Sequence, residues 1–223
     1  MIVYHFCFDL NHFGVIHADF NRHGGWLAFR TVIVSLFVTL VGISLVLAER
    51  HGRKRSFRQR MLMLLAGCLL VSASSYLMFP RSWIFFGILH FILIASLAAT
   101  GFLRLSPRAL LLTGFALLVC GTWVTHPLFD QPALQWIGMM TFKPRTEDYV
   151  PLLPWFGLIL IGMAIGSGLP MQAQAALHWQ TGNASFALLA RAGRHSLLIY
   201  LVHQPLLIGL LYILKASGFF GLH

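Results

Sequence analysis

From Leu27 to Ala48 the chain runs with a single charge, Arg30, and the stretch that follows, Glu49 to Arg60, carries six Lys or Arg. That juxtaposition leaves few folds open. A helix of about 20 apolar residues crosses the hydrocarbon layer of a bilayer, and short loops rich in Lys and Arg stay in the cytoplasm. One span and its direction are therefore set together: Leu27–Ala48 crosses, and loop 49–60 faces the cytoplasm.

The remaining apolar runs follow by alternation. Met61–Phe79 leads outward and Ile84–Leu103 returns after a turn with an interfacial tryptophan, Trp83. Ala109–Thr125 goes out, Pro151–Gly168 comes in, and Ser196–Ile213 goes out again. His126–Val150 is then an outer loop rich in Pro, Trp and acids, and Leu169–Arg194 an inner connection whose segment Gln172–Ala192 suits an interfacial helix. The assignment is self-consistent. Inner segments hold ten of the sixteen Lys and Arg and one acid, Glu49, while the other five acids lie outside.

With 58% hydrophobic and only 10% charged residues, the chain is far from the roughly 25% charged residues of soluble domains. A membrane barrel would show alternating segments of about 10 residues rather than continuous runs. The expected architecture is all-α: a polytopic transmembrane helical bundle with six full spans plus an N-terminal partial span, as one domain over residues 1–223. The net charge of +10 is accounted for by cytoplasmic loops, so no nucleic acid partner is expected. Cys7, Cys68 and Cys120 show no CxxC spacing, hence neither a zinc knuckle nor a disulfide framework. The apolar start has no basic n-region or small-residue cleavage site, so no cleavable leader is expected. Met1–Ile16 would be only about 24 Å long as a helix, a partial span that reads as the tail of a longer one.

Polar residues in such a scaffold mark where chemistry could sit. His5, Asp9 and His12 share one face of the first helix by their i, i+4, i+7 spacing. A carboxylate one turn from an imidazole can fix its tautomer and raise its basicity. Zinc ligation and plain interhelical hydrogen bonding are the other readings of that face. His17 and Asp19 follow in a polar loop. His90 and His203 fall near the middle of their spans, where ionisable groups either mark a site or pathway or serve as interhelical donors. Gly193-Arg194-His195-Ser196 opens the last helix on the cytoplasmic side, where free amides and an arginine suit a phosphate. Between Tyr149 and Gly157 two prolines break the start of a span, and such backbone is tolerated only where protein or water covers it.

Several separated segments together carry a resemblance: Tyr4-His5-Phe6 with Asp9-Leu10 and Phe13-Gly14, Gly42-Ile43-Ser44-Leu45, Phe86-Gly87-Ile88-Leu89-His90, Pro151-Leu152-Leu153-Pro154-Trp155, and Gly193-Arg194-His195-Ser196 through His203-Gln204-Pro205. In this order and spacing the chain resembles the short bacterial relatives of heparan-α-glucosaminide N-acetyltransferase, within the transmembrane acyltransferases, over essentially its whole length. The resemblance implies a membrane enzyme that takes an acetyl group from cytoplasmic acetyl-CoA and delivers it across the membrane, in the lysosomal relative to a terminal glucosamine amine. It places His5 near a functional asparagine and His17 near a functional histidine of the family. The family's Asp-x-x-Arg-Gly-type segment, one span upstream of His5, is not found in this sequence.

The sequence therefore points to an acyltransferase of the bacterial cytoplasmic membrane with His5, Asp9, His17, His90 and His203 as candidate catalytic groups. Arg194, His195, Ser196, Arg55 and Arg58 are the candidate donor-binding groups. Acetyl-CoA is the expected acyl donor and no metal is expected. A small-molecule or glycan acceptor, the lipid bilayer and a second copy of the chain are the expected partners. Trp123, Trp136 and Tyr149 suit stacking on a sugar ring as well as an interfacial belt. A proton-coupled transporter using Asp9, His90 and His203 as relay groups is the rival reading, although no internal repeat supports it. A non-catalytic membrane subunit is the third.

Overall fold

The computed structural model describes residues 1–20, 22–52, 54–146, 148–170 and 184–218. Every regular element among them is helical: α1 (Ile2–His12), α2 (Gly24–Arg50), α3 (Lys54–Met78), α4 (Ile88–Ala99), α5 (Pro107–Trp123), α6 (Leu152–Gly168), α7 (Ala184–Arg194) and α8 (Ser196–Ala216), with short 3₁₀ turns at Thr100–Phe102, Pro127–Asp130 and Gln135–Ile137. Three helical stretches are long and apolar enough to cross a membrane, namely Gly24–Arg50, Arg55–Met78 and Ser196–Ala216. Three others, Ile88–Phe102, Pro107–Trp123 and Leu152–Gly168, are equally apolar but shorter. Seventeen helical residues reach about 25 Å, against a hydrocarbon layer of about 30 Å. Leu36, Leu40, Leu62, Leu69, Leu112 and Phe115 are exposed, the inverse of a soluble bundle and the surface that lipid would cover.

The residue contacts form two compact units, Ser35–Met171 and Met1–Val34 with Gln172–His223. In the first, α6 is the central helix. Ile159, Leu160 and Met163 are fully buried, as are Phe91 of α4 and Leu110 of α5. Glycine lets the backbones close up. A Cβ on Gly42 of α2 would run into the Ile159 carbonyl, one on Gly162 into the Thr39 carbonyl, and one on Gly157 into the Gly114 carbonyl of α5. Small residues at helix crossings are how membrane bundles gain packing when lipid is as apolar as the side chains.

Helix starts follow from local chemistry. Ser106 caps α5, its Oγ accepting from Ala109 N at 3.3 Å, with Pro107 at the first helical position. The apolar run from Ile84 turns helical only at Ile88, because residues 84–87 are held outside the helix by polar partners. Ser75 Oγ accepts from Ile84 N at 3.0 Å, Ser72 Oγ donates to Ile84 O at 2.8 Å, and Asp148 Oδ2 accepts from Ile88 N at 2.8 Å. A carboxylate on the first amides of a helix satisfies an orphan donor and complements the helix dipole. At the start of α6, Leu153 is non-helical and the Leu153–Pro154 bond is cis. Protein covers this break: Gly121 of α5 and Gly138 of the loop between α5 and α6 both lie against Leu153 or Pro154.

In the second unit α1 and α8 lie side by side. His5 stands against His203, with ring centroids 5.2 Å apart, and further along Phe13 meets Tyr212 at 5.1 Å. Contacts that advance along both helices together mean that the two run parallel. Tyr4 packs on Phe20, Trp26 and Phe29, and Phe20 is stacked on Trp26 at 4.4 Å. This aromatic cluster pins the loop between α1 and α2 against both helices. The expected interfacial segment Gln172–Ala192 is described from Ala184 onward, where α7 exposes Phe186, Leu188 and Leu189; residues 172–183 lie outside the described residues.

Candidate functional site

Among the described residues, buried polar side chains meet between α1 and α8. Asp9 is 4% exposed and His203 9%. Gln204 Nε2 donates to Asp9 Oδ1 at 2.9 Å, which settles the amide's orientation because an ionised carboxylate can only accept. His203 Nδ1 lies 2.6 Å from the Tyr200 carbonyl and 3.2 Å from that of Ile199. Carbonyls accept, so Nδ1 carries the proton and the neutral ring keeps its lone pair on Nε2. That Nε2, Asp9 Oδ2 and Gln204 Oε1 are all buried without a hydrogen-bond partner. Buried polar atoms are paired in the great majority of cases, so three unpaired acceptors on two adjoining helices make this cluster the candidate site.

His5 and Asp9 turn toward α8, whereas His12 packs edge-on to Phe13 at 5.8 Å. His12 instead joins His17, Asp19, Asn11, Phe8, Ala18 and Phe20 in lining a cleft of about 480 Å³. The loop that carries His17 is shaped by two side-chain bonds: Asn11 Oδ1 accepts from Ala18 N at 2.7 Å, and Asp19 Oδ1 accepts from Arg22 N at 2.9 Å. Among the described residues no group of three His, Cys, Asp or Glu is arranged to hold a metal ion.

His90 lies in the other unit and is engaged on both nitrogens. Gly87 N donates to its Nδ1 at 3.4 Å, and its Nε2 is 3.1 Å from Ser72 Oγ. An Nδ1 that accepts leaves the proton on Nε2, which donates to Ser72 while the Ser72 hydroxyl donates to Ile84 O. His90 therefore closes a hydrogen-bonded chain around the start of α4. Arg55 and Arg58 are exposed in the first turns of α3, and His195 and Ser196 are exposed where α8 begins. Arg194 ends α7, but its side chain lies outside the described residues, as does Arg53 of the basic loop.

His5 and Asp9 stand out in the sequence as one helix face with His12, and His90 and His203 as single histidines within apolar runs; Gln204 and Ser72, the partners of Asp9 and His90, do not stand out. The signal for Gln204 was present: a second polar side chain directly after His203 in the middle of an apolar helix, followed by Pro205. Ser72 carries no such signal, since a serine in an apolar helix ordinarily bonds its own backbone.

Fold and cluster together define a class: an all-helical integral membrane protein with an imidazole, a carboxylate and an amide buried between its first and last described helices. Residues 1–205 match the family described as heparan-alpha-glucosaminide N-acetyltransferase, catalytic, and the chain belongs to that family. No curated protein and no solved structure matches the chain.

Proposed function

We propose that the chain is an integral membrane acetyltransferase that moves the acetyl group of cytoplasmic acetyl-CoA onto an amine or hydroxyl of a glycan-like acceptor at the outer face. Membership of the family supports the reaction class. The observation that carries the site is the buried lone pair on His203 Nε2, beside His5 and the Asp9 carboxylate. A general base must offer a lone pair in a fixed direction within reach of the acceptor proton, and the bond from Nδ1 to the Tyr200 carbonyl supplies that direction.

In this reading the imidazole takes the proton of the acceptor N–H or O–H as that atom attacks the thioester carbon. The carbon–sulfur bond then breaks and CoA leaves as the thiolate, which recovers the proton. Asp9 stabilises the imidazolium formed in between. His5 is the second imidazole of the cluster, and His17 faces the cleft through which an acceptor would arrive. His90 orders the outer end of α4. Arg194, His195 and Ser196 would meet the CoA phosphates, and Arg55 and Arg58 would raise the concentration of an anionic donor at the cytoplasmic surface. The reading carries six spans and a partial one, loop 49–60 in the cytoplasm of a bacterial inner membrane, and no metal. A second copy of the chain remains a proposed partner.

The test is transfer of label from acetyl-CoA by the purified protein and its His5→Ala, His17→Ala and His203→Ala variants, with glucosamine as the acceptor. His203→Ala is expected to lower the rate by about a hundredfold or more. Full activity in all three variants overturns the assignment. Absence of acetyl-CoA binding together with pH-dependent solute flux in liposomes would move the chain to the transporters.

A further inference from the structure

We infer that Gln204 is a positioning residue that sets the Asp9 carboxylate for the reaction proposed above. The inference rests on that reading for its functional consequence and on geometry for its physical content. Gln204 Nε2 donates to Asp9 Oδ1 at 2.9 Å across the parallel helices α1 and α8. This is the one hydrogen bond that reaches Asp9 from the side chains described. The carboxylate is 4% exposed, and an acceptor buried that deeply keeps whichever orientation its donor dictates.

The consequence is directional. With Oδ1 held by the amide, Oδ2 is left as the carboxylate's unpartnered oxygen, together with Gln204 Oε1 and His203 Nε2. His5 faces the same helix through its ring contact with His203, and His12 lies one turn beyond Asp9 on α1. The basic side chain on α8 within a turn of Gln204 is His203, whose Nδ1 donates to the Tyr200 carbonyl and whose Nε2 holds a lone pair, so it has no N–H left to take over the amide's role. Removing the amide would free the carboxylate to turn its charge away from the imidazole. Misplacement of a charged group by about 1 Å can cost a hundredfold in rate. Pro205 adds to the effect: it has no N–H and cannot close the backbone bond to residue 201, so the turn carrying Gln204 is held partly by its side chain.

The experiment compares wild type with Gln204→Leu, Gln204→Glu, Asp9→Asn and the double variant Asp9→Asn/Gln204→Leu, each confirmed monodisperse in detergent. Labelled acetyl-CoA is followed both to glucosamine and to free acetate. Gln204→Leu is expected to lower kcat by about ten- to a hundredfold with the KM for acetyl-CoA within about twofold, since the amide acts on the step and not on donor binding. Because it acts through Asp9, the double variant is expected to be no slower than Asp9→Asn alone. Gln204→Glu can donate to Asp9 only when protonated, so its activity relative to wild type is expected to recover as pH falls, while Gln204→Leu shows no such recovery.

Wild-type kcat in Gln204→Leu, losses that multiply in the double variant, or no acid recovery in Gln204→Glu overturns the inference. If wild type neither transfers nor hydrolyses the acetyl group, the acetyltransferase reading fails instead. The positional claim is then read from infrared difference spectra, in which the carboxylate band removed by Asp9→Asn must shift in Gln204→Leu. An unshifted band overturns it.

Discussion

His90 and His203 are both imidazoles within apolar helices, yet their hydrogen bonds give them different chemistry. The Nδ1 of His90 accepts from Gly87 and its Nε2 donates to Ser72, which spends both nitrogens on the start of α4. His203 donates from Nδ1 to its own helix and keeps a buried lone pair. From sequence the two looked alike, because residue type and depth are local while hydrogen-bond partners are not. Tyr149 shows the same limit. It reads as an interfacial or sugar-stacking aromatic, but its hydroxyl donates to the Gln135 carbonyl at 2.6 Å and its ring packs on Phe85 at 5.9 Å. Burial pushes its phenol up from the ordinary value. A proton held more tightly in the folded state gives a contribution that is constant below about pH 10, where a free tyrosine ionises, and is lost as pH climbs above it. Thermal unfolding of Tyr149→Phe is therefore expected to parallel wild type from roughly pH 6 to 9. Above about pH 10 the wild-type midpoint should fall faster, and parallel curves at high pH would remove Tyr149 from the stability of the loop between α5 and α6.

At the level of helices, the long runs were legible because a continuous apolar stretch has one solution in a bilayer. Their starts were less so. The first helical position comes four residues after Ile84, and the cause, Asp148, sits sixty residues away from Ile88. The pairing of α1 with α8 was likewise invisible, since no pattern in either helix names its neighbour. The glycine crossings of α6 belong to this scale. At Gly42 and Gly162 the obstructing atoms are backbone, which cannot step aside. Gly42→Ala or Gly162→Ala is expected to cost about 1–3 kcal/mol, read as a lower unfolding midpoint or loss of folded protein. Gly209 of α8 has nothing within 4 Å of an added Cβ. Gly209→Ala is expected to leave the midpoint unchanged or raise it, by up to about 1 kcal/mol of helix propensity. Equal tolerance at all three positions would show that α2 and α6 do not touch at backbone distance.

For the molecule as a whole, charge asymmetry is the argument for direction, and it is testable without any activity. In a background with Cys7, Cys68 and Cys120 replaced by serine, Ser56→Cys is expected to react with an impermeant thiol reagent only from the cytoplasmic side. Gln131→Cys is expected to react only from outside. Reaction of both from one side would break the alternation on which the span order rests. The bond between Asp9 and Gln204 also has a meaning for biogenesis, because its partners are 195 residues apart in sequence. Translation at about 5–20 residues per second leaves the Asp9 carboxylate waiting on the order of ten to forty seconds while the intervening helices are inserted. α8 is thus a closing part: until it docks, there is no amide to orient the acid and no His203 ring beside it. A chain still emerging into the membrane therefore carries Asp9 without its amide, and the pair is completed only when α8 has been made and docked.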